Sequence, residues 1–278
     1  MIVSLAPNLS AQTLIDALRL PGSCWVDQRV PKKLLLENGA PTAADKRLLT
    51  ESIEEIQWVA ALKPNTIGVP EYRDALREYL EIALLAVTLR GVVKPSGCLR
   101  LAELVHRAVP YPVLLLLIEE QSLTLSLAHK RWAQSEADKV VLDGSLTSVT
   151  MSASPSKVNA ADSSYSDPAA VVDAENAFIQ SLSVTLQPQA TLHALYQGWV
   201  DCVQALLAAR LTGSYQTPTT PEQAAARRQA LADCERLEAE VSRLRKQALR
   251  EKQLARQVAL NLTLKRAQSE LAAARRQL

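Results

Sequence analysis

Aromatic residues are scarce in this sequence. Phe, Trp and Tyr make up only 4% of its 278 residues, with a single Phe, whereas 48% of the residues are hydrophobic. This balance, with abundant Leu, Ala and Val, favours packed helices and aliphatic strands over a binding sheet lined with aromatic side chains. The length suits one ordinary globular domain with an extension, or two small domains.

Cysteine is also rare, and its spacing excludes the common cysteine-based sites. Cys24, Cys98, Cys202 and Cys234 lie far apart with no CxxC pair. We therefore expect neither a zinc ribbon nor a disulfide framework, and no metal or other cofactor. Each cysteine is interpreted as a small buried or half-buried hydrophobic side chain in a reducing compartment.

Targeting and membrane signals are missing as well. The first residues, MIVSLAPNLSAQ, lack a basic segment followed by an apolar core. The most apolar run, from Tyr111 to Ile118, is far shorter than the roughly 20 residues that span a bilayer. We expect a cytoplasmic protein with no membrane contact.

Several enzyme signatures do not occur. The sequence has no GxxxxGK[ST], GxGxxG or HExxH motif, which argues against a P-loop motor, a dinucleotide or methyl-donor site and a zinc protease. His106, His129 and His193 lie on three different predicted elements, so neither a catalytic triad nor a zinc site is predicted. We assign no catalytic residues.

Hydrophobic periodicity indicates an α+β fold, with a mixed α/β sandwich body over residues 1–211. A helix is predicted over 43–62, capped by Thr42, because Leu, Ile and Trp recur there at helical spacing. A central strand is predicted over 79–89, and an amphipathic helix over 96–108.

The second half of the body is predicted to continue the sheet. Two strands form a hairpin that turns near Gln121, and a third strand is expected over 139–151. Residues 152–166 are poor in hydrophobic side chains and are predicted to form a flexible loop. A helix is expected over 189–211, and the Gly- and Pro-containing segment 212–221 is interpreted as a hinge.

The segment 222–278 contains no Gly or Pro and is predicted to be a helical arm. It carries 13 Lys/Arg and 7 Asp/Glu, whereas the rest of the chain carries 18 and 22. Two apolar series repeat at the alternating spacings of a coiled-coil seam, which needs a facing helix to cover it. Its principal members are Leu237, Val241, Leu244, Leu264 and Leu271.

The polar stretch REKQLARQ separates the two apolar series. Two arrangements remain open: a straight helix with a local stutter, or a hairpin that folds back around 250–257. Because this stretch contains no turn residue, we expect the straight form, which would extend about 85 Å at about 1.5 Å per residue.

Basic residues gather around this break in the heptads. They could contact nucleic-acid phosphates, since sequence-independent DNA affinity rests on such cations. The alternative, which we favour, is a solvated face whose Lys and Arg stems shield the seam. The residues are Arg243, Arg245, Lys246, Arg250, Lys252 and Arg256.

A second charged group lies near the start of the body. Asp27, Arg29, Lys32 and Lys33 flank Pro31. They could grip a phosphate or a partner's carboxylate, but a structural or docking role is the preferred interpretation. Each is a candidate docking or phosphate-contact residue.

Charged residues also stand at the ends of predicted strands. Glu81, Glu119 and Lys130 are typical of the residue types in metal-dependent nucleases, where carboxylates hold Mg²⁺ and a lysine stabilises charge. The ExK spacing of such sites is missing, so an active or relic nuclease is only an alternative. Lys130 and Arg131 are further candidate docking or phosphate contacts.

Three segments together resemble a known family. They are VDQRVPKKLLLENG with the IQW-containing stretch that follows it, AVPYPVLLLLIEE with LSLAHKR, and LEAEVSRLRKQALREKQLARQVALNLTLKRAQSEL. The third, with its EKQxxRxVxLN core, is the most specific. The chain resembles a family of uncharacterised bacterial proteins classed as a domain of unknown function, whose members are encoded beside restriction-type DNA methyltransferases and SNF2-like helicases. The resemblance implies a role in a DNA-modification or anti-phage cluster. It supplies no reaction and no catalytic residues that could be carried over to this sequence.

We therefore expect a non-enzymatic accessory or scaffolding subunit that assembles through its C-terminal coiled coil. Its partner would be a protein, such as a methyltransferase or helicase subunit, or a second copy of the chain, and DNA is a further possible ligand. The alternatives are a metal-dependent nuclease-like domain and a sequence-independent DNA-binding protein.

Overall fold

A computed structural model describes residues 10–134, 139–152 and 168–278. The chain divides into two compact units. The first takes in residues 1–161 and 176–203, and the second takes in 162–175 and 204–278. The predicted loop at 152–166 lies, except for Ser152, outside the described residues.

The elements up to the second gap belong to the first unit. In chain order they are α1 (Ala11–Ala17), β1 (Trp25–Arg29), α2 (Lys32–Asn38), α3 (Ala43–Ser52), β2 (Ile53–Leu62), α4 (Pro64–Ile67), β3 (Tyr72–Arg73), β4 (Glu78–Tyr79), β5 (Ile82–Leu89), α5 (Pro95–Ala108), β6 (Val113–Ile118), β7 (Ser122–Leu127), β8 (Lys130–Trp132), β9 (Val140–Leu142) and β10 (Thr147–Ser152). After the gap, α6 (Pro168–Ser181) and α7 (Leu192–Thr212) contribute residues to both units, and α8 (Pro221–Arg250) and α9 (Leu254–Arg275) complete the second.

A mixed sheet organises the first unit. Within the described residues its strand order is β1-β2-β5-β6-β7-β10. All neighbours are antiparallel except β5 and β6, which are parallel and are joined by the crossover helix α5. The two short hairpins β3–β4 and β8–β9 stand apart from this sheet. The predicted α+β class is confirmed.

The core forms where α2, α3 and α5 pack against the central strands. Alternate residues of β5 and β6 face this layer, as the two-residue period of a strand requires. The intervening residues, among them Leu84 and Leu116, are buried too, which explains why both strands are unbroken apolar runs. Arg100 of α5 donates two hydrogen bonds, of 2.8 and 2.9 Å, to the carboxylate of Asp45 in α3. This contact lowers the pKa of Asp45 to about 2.

The helix predicted over 43–62 is only half correct. Thr42 does cap a helix, accepting a hydrogen bond from the backbone N–H of Asp45, but α3 ends at Ser52. From Ile53 the chain is β2, paired with both β1 and β5. Irregular registers between Ile53 and Glu55, and again between Trp58 and Ala60, interrupt the alternation of buried and exposed residues. Such bulges hide the strand period and leave a spacing that resembles a helix.

Other predicted elements of the body are closer to the structure. The strand at 79–89, the helix at 96–108 and the hairpin near Gln121 are confirmed as β5, α5 and β6–β7. The strand expected over 139–151 is instead two, β9 and β10, and only β10 joins the main sheet. The helix α6 was missed, whereas that at 189–211 is confirmed as α7.

The second unit contains an antiparallel helical hairpin. Helices α8 and α9 are separated by Glu251–Gln253, and their apolar residues meet in two clusters. Near the open end, Cys234 and Leu237 pack against Leu271 and Ala274, with Leu211 of α7 alongside. Farther along, Val241 and Leu244 pack against Ala267, with Leu260 and Leu264 half-buried beside them. The expectation of a straight helix was therefore wrong.

The turn forms without Gly or Pro because polar side chains satisfy its backbone. Glu251 and Gln253 have extended dihedral angles with negative φ, so no left-handed residue is needed. The Glu251 carboxylate accepts a hydrogen bond of 2.9 Å from the backbone N–H of Gln253. Gln257 donates its side-chain amide to the carbonyl of Ala248 at 3.3 Å, covering one of the last carbonyls of α8.

Among the described residues, none of the helices has both the length and the apolar composition that a membrane span requires.

Candidate functional site

The end of the hairpin around its turn brings the predicted cations of the arm together. We call residues 243–266 the distal hairpin. Arg243, Arg245, Lys246 and Arg250 occupy the last turns of α8, Lys252 lies in the turn, and Arg256 lies in the first turn of α9. Folding back thus concentrates at one end a set of charges that a straight helix would have placed at its middle.

Charge is strongly segregated along the hairpin. The distal hairpin contains eight Lys/Arg and a single acidic residue, Glu251, whereas the rest of 222–278 contains five Lys/Arg and six Asp/Glu. The hairpin therefore has a nearly neutral base and a strongly positive end. Such a concentration of one sign attracts an anionic partner and accelerates its association.

Most of these cations are exposed. Arg243 makes a surface ion pair of 3.7 Å with Glu240, whereas, within the described ranges, Lys246, Arg250, Lys252 and Arg256 take part in no ion pair. A surface pair of that length contributes little to stability. The charges of these last four residues are thus available to a ligand.

The predicted seam residues all lie at the interface between α8 and α9. Leu237, Val241 and Leu244 are buried on α8, Leu271 is buried on α9, and Leu264 is half-buried. Each apolar seam covers the other, so the facing helix that the seam requires belongs to the same chain. The hairpin needs no second molecule to bury these side chains.

The charged residues near the start of the body are dispersed rather than gathered in one site. Asp27, which has a left-handed φ of 51°, accepts a hydrogen bond of 2.5 Å from the side-chain amide of Gln57. Arg29 and Glu55 form an exposed ion pair of 3.3 Å across β1 and β2. Both contacts fasten the edge strand β1 to its neighbour.

The two lysines that follow have different surroundings. Lys32 donates a hydrogen bond from Nζ to the carbonyl of Ile53, and burial, reinforced by the nearby Arg90, lowers its pKa. Lys33 instead pairs with Glu37 at 3.5 Å along α2. Arg29 and Lys32 line an open cleft of about 370 Å³ whose walls also carry Val30, Pro31, Glu54, Glu55 and Ile56. Because the lining carries both basic and acidic side chains, the cleft shows no electrostatic preference for an anion.

The three residues of the nuclease alternative have three separate structural roles. Glu81 pairs with Lys63 at 3.0 Å. Glu119 accepts hydrogen bonds from the backbone N–H of Val93 and from the Ser122 hydroxyl. Lys130 is buried, and its Nζ donates to backbone carbonyls at the end of α5. The structure does not assemble them into one site.

Arg131 belongs to a different group. Its guanidinium lies 3.6 Å from the carboxylate of Asp143, which also pairs with Arg77 at 2.6 Å. The pair between Arg77 and Asp143 joins the end of β9 to the segment between β3 and β4. The candidate docking residues Lys130 and Arg131, adjacent in sequence, therefore point to different surroundings.

A cluster of histidines and tyrosines was not foreseen. The rings of His129 and His193 lie 5.3 Å apart, and those of Tyr72 and His193 stack at 4.8 Å. The rings of Tyr79 and Tyr196 pack edge-on at 6.0 Å. The sequence placed the histidines on separate elements, but β3–β4, the residue before β8 and the first turns of α7 converge here.

Hydrogen bonds at both ring nitrogens bear on the protonation of His129. Tyr79 Oη lies 2.6 Å from His129 Nδ1, and His129 Nε2 lies 3.0 Å from Gln197 Oε1. The Gln197 amide donates its own hydrogen to Asp201, so its oxygen faces the imidazole. In the neutral imidazole these contacts fit a proton on Nε2, donated to Gln197, and an unprotonated Nδ1 that accepts from the Tyr79 hydroxyl. Burial, followed by the charge of His193, lowers the pKa of His129 to about 4.

The cluster's signal in the sequence was present but weak. His193, Tyr196 and Gln197 fall on one face of α7 at spacings of three and four, which marks a polar and aromatic stripe. Nothing local linked that stripe to Tyr79 or His129, which are distant along the chain. Within residues 10–134, 139–152 and 168–278, no group of three or more His, Cys, Asp or Glu is placed to hold a metal ion.

Comparison with known proteins agrees with the resemblance of the three segments. A search of curated proteins and a search of solved structures each found no match. A family model described as "Domain of unknown function (DUF4391)" matches residues 18–271, which include the sheet and nearly all of the hairpin. The chain belongs to this family, DUF4391.

Proposed function

We propose that this chain is a non-enzymatic accessory subunit of a bacterial DNA-modification or anti-phage defence system and that it assembles with its partner through the α8–α9 hairpin. The observation that carries the proposal is the exposure of cations and leucines on the distal hairpin. Its two helices cover each other's apolar seams, so its exposed cations and outward leucines are not used in its own folding. Such residues are free to contact another molecule.

The biological setting comes from the family resemblance. Its members are expected beside restriction-type DNA methyltransferases and SNF2-like helicases, which makes a subunit of either kind the expected partner. Because the apolar seams are already filled, a coiled-coil partner would have to pack against the outside of the hairpin. Assembly is thus proposed to use outward faces of α8 and α9 rather than the seam.

Co-purification tests this proposal. The full chain would be co-expressed with a methyltransferase and a helicase encoded beside a DUF4391 member, and the mass of the product would be measured by size exclusion with light scattering. We expect a complex of defined stoichiometry. Arg256→Glu should weaken it, whereas Arg276→Glu, an exposed residue at the opposite end of α9, should not. The proposal would be refuted if the proteins eluted separately, with no complex, in every combination tested.

Sequence-independent DNA binding is a second candidate, favoured by the charge segregation of the hairpin. Cations that contact phosphates release counterions, so the logarithm of affinity falls with the logarithm of salt by about 0.9 for each phosphate neutralised. Eight Lys/Arg with one acidic residue in the distal hairpin supply the charge for several such contacts.

Fluorescence anisotropy with a labelled DNA duplex over a salt series distinguishes the two candidates. If the arm contacts DNA, reversing Arg243, Arg245 and Lys246 together should abolish most of the affinity and reduce the salt slope by about 3. An unchanged slope in this variant would exclude the distal hairpin as the DNA-binding surface. Plasmid cleavage that requires Mg²⁺, and that Lys130→Ala abolishes while circular dichroism shows the fold retained, would instead favour the nuclease alternative.

A further inference from the structure

The outward face of α9 carries an apolar stripe that the fold leaves uncovered. Leu254, Val258 and Leu262 follow one another at four-residue intervals. They are 74%, 50% and 59% exposed. At about 100° per residue, the stripe lies about 160° around the helix from the buried seam, and it extends about 12 Å along the axis. Helix α9 is therefore apolar on two opposite faces.

A second apolar face is unusual for a helix at the surface. The solvent side of such a helix is normally polar, because exposed aliphatic side chains gain nothing from water. Here the seam residues already stabilise the hairpin, and within the described residues none of the apolar clusters includes Leu254, Val258 or Leu262. Half or more of each of these side chains is exposed to solvent. An uncovered apolar face of this kind marks an interaction surface.

Cations surround the stripe at both ends. Lys252 precedes its first residue in the turn, and Lys265 and Arg266 follow its last residue by three and four positions, all of them exposed. A second copy of the distal hairpin laid alongside would bring eight Lys/Arg against eight others, with a single acidic residue on each. Like charges at that density oppose self-association. An occupant with acidic flanks is instead attracted.

We propose that the stripe binds an acidic amphipathic helix of a partner protein. Leucines or similar residues at spacings of three and four would cover Leu254, Val258 and Leu262, and Glu or Asp on the flanks would face the lysines and arginines. The inference rests on the proposed accessory function and adds to it the chemical nature of the partner's binding segment.

The test uses the full chain and a designed peptide as the probe. The peptide is a fluorescein-labelled helix of about 21 residues with Leu on one face and Glu on the others. One control peptide has the same composition with the leucines spread around the helix, and another has Lys in place of Glu. Anisotropy should show binding of the first peptide and at least tenfold weaker binding of both controls.

A matched pair of double variants tests whether the peptide contacts the stripe. Leu254→Ser with Leu262→Ser removes apolar surface without changing charge and should weaken binding of the acidic peptide at least tenfold. Leu76→Ser with Leu186→Ser, at positions 49% and 67% exposed elsewhere in the chain, should leave it within twofold. Circular dichroism of both double variants checks that the helices are retained.

Several results would overturn the inference. They are the absence of binding to the acidic peptide, equal binding of the rearranged peptide, and equal binding by the Leu254→Ser, Leu262→Ser variant. A wild-type dimer that this variant converts to a monomer would show that a second copy occupies the stripe. If a methyltransferase or helicase complex forms and the variant does not weaken it, the accessory function stands and this inference fails. If the peptide binds as expected but no such complex forms, the accessory function fails instead.

Discussion

Lys130 donates a hydrogen bond of 3.0 Å from Nζ to the backbone carbonyl of Val109, and a second to that of His106, at the C-terminal end of α5. The last carbonyls of a helix have no partner within the helix and carry partial negative charge. Lys130, only 2% exposed, supplies the missing donor from β8. Its role in the fold is to close the crossover helix.

Substituting this lysine should change the pH dependence of stability. Burial lowers the pKa of Lys130 to about 7, far below its ordinary value. Between about pH 7 and 10.5 the unfolded chain therefore binds a proton that the folded chain has lost, so the free energy of unfolding rises with pH in this window. Relative to Lys130→Met, the wild type should gain on the order of 2 kcal/mol between pH 7 and pH 9. Urea denaturation at the two values measures this, and parallel pH profiles would contradict the buried position of Nζ.

The histidines should remain uncharged in mildly acidic solution. Burial lowers the pKa of His106 to about 3, that of His129 to about 4, and that of His193 in the same direction. Since the unfolded chain takes up these protons near pH 6.5, the free energy of unfolding should fall as the pH is lowered from about 6.5 toward 4. Imidazole NMR signals, assigned with single His→Gln variants, should not titrate above pH 5.5 for His106 or His129. A midpoint near 6.5 for either histidine would contradict the burial of that ring.

Truncating a leucine should destabilise the hairpin on the buried face of α8 but not on its exposed face. Leu244→Ala removes a side chain that is 3% exposed and packs against α9. Such truncations of buried leucines cost about 2–5 kcal/mol. Leu249→Ala, five residues later and 85% exposed, should cost less than about 0.5 kcal/mol. Thermal and urea unfolding followed by circular dichroism provide the comparison, and equal effects of the two variants would show that α8 has no covered face.

Distance measurements should distinguish the hairpin from a straight arm. Spin labels at residues 235 and 272, both exposed, would lie on neighbouring helices beside the contact of Leu237 with Leu271. Helix axes in contact lie about 8–10 Å apart, so pulsed electron resonance should give a short distance. A straight helix would separate these positions by about 55 Å at about 1.5 Å per residue. A dominant long distance would rule out the folded arm.

The sequence predicted best where one local pattern decides the structure. The runs that became β5 and β6 are apolar throughout because both faces of a central strand are buried, and α5 shows a clear amphipathic pattern. The segment 53–62 was misread because two bulges shift its buried residues away from strict alternation. Those bulges arise from pairing with β1 and β5, which the local sequence does not specify.

In the candidate site, too, the features set by local sequence could be predicted, whereas those set by contacts between distant residues could not. The seam positions of the arm could be read from their spacing, but the direction of the chain after Arg250 depends on how well two such seams fit each other. The Glu251 carboxylate stabilises the turn by accepting a hydrogen bond from the backbone N–H two residues later. The contact between His129 and His193 depends on tertiary folding alone, since 64 residues and several elements separate them.

The covering of each seam by the other helix also affects how the arm can change over time. Residues that hold the hairpin together point inward, while Leu254, Val258 and the surrounding cations point outward and contribute little to its folding. Substitutions on the outer surface can therefore alter what the arm binds at small cost to stability. Related proteins could share one scaffold and still recognise different partners.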